Sequence, residues 1–114
     1  GDTFADRLEG LRKKISDDYG QEVPQENCFV GFDAYKKVID AGVDYVICTA
    51  PPVFRPDHFK YATEKGVHSF LEKPIAVDAK GYRSIMATAK QAQAKNCRKK
   101  SMEKGSHKNL RKLN

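Results

Sequence analysis

Cysteine is scarce here, and its placement excludes more than it suggests. Cys28, Cys48 and Cys97 are an odd number with no Cys-x-x-Cys spacing. That argues against a disulfide framework or a thiolate zinc site, and predicts reduced thiols in a reducing compartment. Histidine is equally sparse: His58, His68 and His107 form no ligand cluster in sequence. No apolar run approaches the roughly 20 residues of a membrane span, and residues 1–7 do not resemble an export signal. With 39% hydrophobic residues and a mean hydropathy of −0.68, the 114-residue chain reads as one soluble, rather polar domain with no membrane partner.

Net charge is +6, but its distribution is uneven. Residues 95–114 hold eight basic side chains and one acid, Glu103, whereas residues 1–94 hold 13 basic and 14 acidic ones. The basic character belongs to the tail, so a nucleic-acid reading of the whole domain would be an error of averaging. Aromatic residues, which stack bases in single-strand binders, are absent between the tail's charges. The segment 96–114 has few apolar residues and no periodicity, and is expected to be disordered or a fraying helix outside a folded unit of 1–95. A frameshift or a wrong gene model would produce such a tail. The alternative is a basic appendage that contacts RNA or another polyanion.

The remaining segments alternate between two periods. Phe4, Leu8, Leu11 and Ile15 recur at helical spacing over 4–19, with Thr3 as a candidate cap and Gly20 as the stop. Residues 28–30 read as a short strand. Asp33 caps a helix over 34–41 whose inner face is Tyr35, Val38 and Ile39, and Gly42 ends it. The run 43–49 is the strongest strand; its unbroken apolar core predicts burial on both faces of a parallel sheet. Ala50-Pro51-Pro52 stops it, 53–56 reads as a loop, and 57–65 as a helix with Phe59 and Ala62 inward. A strand over 67–71 follows. Asp78 then caps a helix to about residue 94, with Tyr82, Ile85, Met86 and Ala89 as its apolar face. Strands alternating with helices imply βαβ units, an α/β fold and a parallel sheet.

The chain is organised around the stretch 67–78. Its strand stops at Glu72-Lys73-Pro74, two opposite charges followed by a residue that cannot donate to a ladder. If strands 43–49 and 67–71 are parallel neighbours, Ala50-Pro51-Pro52 and Glu72-Lys73-Pro74 share one edge, where open α/β sheets bind ligands. The plain alternative is a surface turn that merely ends a strand.

The segment VDYVICTAPPVFRPDHFKYATEKGVHSFLEKPIAVD resembles the Gfo/Idh/MocA family of NAD(P)-dependent oxidoreductases, which includes glucose–fructose oxidoreductase and inositol dehydrogenase. The matching features occur in order: a strand ending in Ala-Pro-Pro, His58, Gly66-x-His68 entering the next strand, and Glu72-Lys73-Pro74. GDTFADRL and ENCFVGFDAYKKVID resemble one subgroup, so the likeness covers about residues 1–95. It implies a partial Rossmann-type parallel sheet with flanking helices, NAD or NADP as cofactor, and a sugar, cyclitol or related polyol as substrate. It also implies that Lys73 is the catalytic lysine near the nicotinamide and the substrate hydroxyl, where an amine can exchange a proton. By the same resemblance Glu72 contacts the cofactor, the Lys73–Pro74 bond is often cis, and Ala50, Pro51 and Pro52 lie against the cofactor. His58 is positional or cofactor-contacting, or simply a structural histidine. Asp2 either meets the adenosine ribose or is a helix-entry acid.

The departures from the family are large. No Gly-x-Gly-x-x-Gly occurs, so the loop that holds the pyrophosphate is absent. The first strand, its helix and most of the second strand have no counterpart, nor has the family's substrate domain. The family's Thr-Pro-Asn turn is replaced by Ala-Pro-Pro. Two functions of different class follow: a fragment of an oxidoreductase, inactive alone, or a truncated α/β module whose tail binds a polyanion. The parent is expected to be cytoplasmic, although some relatives carry an export signal, and could form homo-oligomers.

Overall fold

The computed structural model describes residues 1–95 and the backbone of 99–101. Its elements run α1 (Ala5–Tyr19), α2 (Ala34–Asp40), β1 (Tyr45–Cys48), α3 (Arg55–Glu64), β2 (His68–Leu71), α4 (Ala79–Ala94) and β3 (Lys99–Ser101), with single 3-10 turns at Gln25–Asn27 and Pro52–Phe54. The sheet order is β1-β2-β3 and both pairings are parallel. The expected adjacency of the two apolar strands is therefore present, joined through α3. The register is Tyr45↔His68 to Cys48↔Leu71, so both strands end at one level.

One face of the sheet carries the core. Leu71, Phe59 and Ile85 are almost completely buried and pack with Cys48 and Ala92, while Val46, Ile75 and Ala89 close around them. Ile39, Ala62 and Val67 form a second cluster, which ties α2 to α3. The Tyr61 hydroxyl reinforces that junction by donating to both oxygens of the Asp40 carboxylate at 2.9 and 2.8 Å. Gly66, at φ 74°, makes the left-handed turn that returns the chain from α3 to β2.

The opposite face corrects the expectation for β1. Tyr45 is 49% and Ile47 66% exposed, so among the described residues the strand is covered on one side. The unbroken apolar run matches a strand buried on two faces, but the described residues supply a layer for one. The face of α4 is also rotated from the expected one. Ile85, Thr88 and Ala92 are buried, whereas Tyr82 and Met86 are largely exposed. Packing against α3 selects the side that the small residues allow to approach closely.

Three local expectations differ as well. The strand over 28–30 is reduced to one parallel bridge, Asp2↔Val30, because residue 2 alone pairs with it. The first cap is not Thr3. Phe4 occupies the N-cap position without a side-chain bond, and the Asp2 carboxylate accepts the Phe4 N–H at 3.0 Å. α3 begins at Arg55, two residues earlier than expected, because Pro56 can sit in the first turn, where no N–H is required. Asp78, by contrast, caps α4 as its sequence position predicts, accepting from the Gly81 N–H at 2.6 Å.

Residues 99–101, placed in a tail by their composition, add β3 to the open edge of β2. The rest of that expected tail, 96–98 and 102–114, lies outside the described residues.

Candidate functional site

The C-terminal ends of β1 and β2 form the candidate site. Because Cys48 and Leu71 are register partners, the turns that follow them leave the sheet side by side. One hydrogen bond continues the ladder beyond the strands, from the Glu72 N–H to the Cys48 carbonyl at 3.2 Å. Ala50-Pro51-Pro52 and Glu72-Lys73-Pro74 therefore flank one edge. The Pro51 carbonyl accepts the Phe54 N–H at 3.0 Å, turning the chain directly into α3. Glu72 is half-buried and Lys73 exposed, and the Lys73–Pro74 peptide is cis, as the resemblance implies.

Arg55 is the residue that sequence reasoning missed. It opens α3, is only 4% exposed, and donates from Nη1 to the Pro74 carbonyl. Its Nε is buried and, among the described residues, has no hydrogen-bond partner. A signal was available: a cation in the first turn of a helix opposes the macrodipole, so its presence there needs another reason. Arg55 also lies close enough to Cys48 to favour the thiolate, but burial dominates and pushes that thiol up to about 11. Cys48 is therefore a packed, unreactive thiol.

His58 faces aromatic rings. It stacks on Tyr35 of α2 with centroids 4.1 Å apart, and lies parallel to Phe54 at 6.2 Å. Burial holds its pKa below the ordinary 6.5, with Asp57 acting the other way. The contacts with Tyr35 and Phe54 set the orientation of the imidazole. Asp2 sits at the isolated bridge: its backbone pairs with 29–31 and its carboxylate closes the entry to α1. The structure thus brings together the 50–52 turn, Glu72, Lys73 and Pro74, while His58 and Asp2 have contacts of their own elsewhere. Among the described residues no three His, Cys, Asp or Glu side chains gather as a metal site, and no helix is long and apolar enough to cross a membrane.

A family model described as an oxidoreductase family with an NAD-binding Rossmann fold, Gfo/Idh/MocA, matches residues 6–98. No curated protein matches the chain. Among solved structures, a provisionally assigned oxidoreductase from Parabacteroides merdae superposes with a TM-score of 0.69 at 17% identity, over 90% of this chain and 24% of its own. An NAD-binding protein from Listeria innocua gives 0.64 at 22% identity, over 89% and 25%. The myo-inositol 2-dehydrogenase of Lactobacillus plantarum gives 0.61 at 25% identity, over 87% and 26%. The chain spans about a quarter of the length of these structures.

Proposed function

The chain belongs to the Gfo/Idh/MocA family of oxidoreductases with an NAD-binding Rossmann fold, and from that premise we propose that it forms the part of such an enzyme that carries the catalytic lysine. The reaction is hydride transfer between NAD or NADP and a hydroxyl carbon of a sugar, cyclitol or related polyol. The observation that carries this reading is the Cys48↔Leu71 register. It sets Glu72-Lys73-Pro74 beside Ala50-Pro51-Pro52 at the C-terminal edge of parallel strands, the ligand edge of open α/β sheets.

The donors present fit part of the cofactor. The 50–52 turn has no bulky side chain to obstruct a flat ring, and Lys73 is exposed. Ala50, Pro51, Pro52, Glu72 and Pro74 would line the nicotinamide side. Asp2 would meet the ribose if its carboxylate turned from the Phe4 N–H, and His58 would brace the 3-10 turn through Phe54. The bound dinucleotide supplies the hydride acceptor. The pyrophosphate has no glycine loop in this sequence.

Lys73 has the chemical role. Its amine takes the proton of the substrate hydroxyl as the carbon is oxidised, and returns it in the reverse direction. Such a group contributes about 10²–10⁴ in rate. Lys73→Met, placed in the full-length polypeptide that carries this segment, is expected to lower kcat by that order with cofactor binding near normal. Unchanged kcat would remove Lys73 from the chemistry.

A further inference from the structure

We propose that Arg55 is the positioning residue for Lys73: it fixes the 72–74 turn by holding the Pro74 carbonyl. The turn is bound on both sides of the lysine. On one side the Glu72 N–H donates to the Cys48 carbonyl at 3.2 Å, and on the other the Pro74 carbonyl accepts from Arg55 Nη1. Both anchors come from the continuous β1–α3 segment, so one stretch of chain holds the turn at both ends.

Among the described residues nothing else explains Arg55. It is 4% exposed, so its guanidinium has lost most of its hydration. Among the described residues no carboxylate pairs with it. It stands in the first turn of α3, the positive end of the helix dipole, where a cation is disfavoured. Its hydrogen-bond acceptor is the Pro74 carbonyl, and a charge-assisted donor on a carbonyl is stronger than a neutral one. Lys73 itself is exposed and, among the described residues, makes no ion pair. Where its amine reaches is therefore set by the backbone of the turn, and Arg55 holds that backbone. The importance of this for turnover rests on Lys73 being the proton carrier proposed above; the fixing of the turn does not.

The test is residue-resolved hydrogen exchange by NMR on the 114-residue chain, with Arg55→Met and Arg55→Lys beside the unaltered protein. In Arg55→Met the Glu72 amide should exchange at least about tenfold faster, and the heteronuclear NOE at Lys73 should fall. The Val67 amide, bonded to Ala62 at 2.8 Å in the α3–β2 turn, should stay within about twofold. Arg55→Lys keeps a charged donor and should restore Glu72 to within about threefold of the unaltered chain. Equal acceleration at Val67 and Glu72, or a Met variant that does not fold, would make Arg55 a structural residue and overturn the proposal. So would an unchanged Glu72, or a Lys variant no better than Met. No cofactor or turnover enters these measurements, so their failure and that of the Lys73→Met test are separable.

Discussion

At the scale of single residues, the chain separates groups that must stay neutral from groups that must reach solvent. Cys48 and His58 are both biased toward the uncharged form by burial, whereas Lys73 is exposed at the sheet edge. His58 has a consequence for pH. Its folded pKa lies below the ordinary 6.5, so between those two values the unfolded chain binds more protons than the folded one. Its contribution to stability is complete above 6.5 and is lost as the pH falls through the folded value. Thermal melts from pH 8 downward should show a decline beginning near 6.5, and His58→Phe, which keeps the ring stack, should flatten that part of the profile. An unchanged profile would mean that other groups carry the dependence. The residue scale is also where sequence reading was least complete. Glu72, Lys73 and Pro74 form a recognisable motif, but Arg55 is significant only for what it touches, 19 positions along the chain.

Elements obey two different kinds of rule here. Starts and stops follow local chemistry. Asp78 caps α4, Gly20 and Gly66 leave helices with positive φ, and their positions were legible. Asp78→Ala should cost about 1 kcal/mol, measurable as a lower urea midpoint with the slope unchanged. Faces follow packing. In α4 the apolar residues Tyr82, Ile85, Met86 and Ala89 span more of the helix than the neighbours can cover. Ile85→Ala should therefore cost about 2–5 kcal/mol and Met86→Ala far less, although both residues lie on the apolar stripe. Similar losses for the two would mean that the helix is turned differently. β3 is the element that composition concealed. Lys-Lys-Ser has no apolar side chain to announce a strand, yet its backbone pairs with the open edge of β2 at Ser69, Phe70 and Leu71. Cutting the chain after Lys95 would remove those ladder bonds, and the truncated protein should melt measurably lower than the full chain. Coincident melting curves would show that the pairing contributes nothing.

For the whole molecule the telling features are an exposed apolar face among the described residues and a sequence without a glycine loop. Among the described residues Tyr45 and Ile47 leave β1 uncovered on one side, and Phe32 is 75% exposed beside Phe54. An apolar strand open on a face and at an edge favours association. With no glycine loop to seat a pyrophosphate, the 114-residue chain should bind NAD and NADP more weakly than micromolar and transfer no hydride by itself. Calorimetry with each dinucleotide decides this, and micromolar binding by a monomer would contradict it. The polyanion reading gains nothing from the described residues, since most of the basic tail lies outside them.

Composition and pattern alone determined that this is an α/β chain with parallel strands, and that Ala50-Pro51-Pro52 and Glu72-Lys73-Pro74 end neighbouring strands on one edge. Those conclusions rest on short-range signals, which are period, cap, breaker residue and motif, and each is contained within a few consecutive positions. Tertiary structure decided which face of α4 is inside, that β1 is covered once, that 99–101 extends the sheet, and that Arg55 holds Pro74. Each of these depends on which distant segment arrives as a neighbour, and burial and pairing are properties of two segments together rather than of either one.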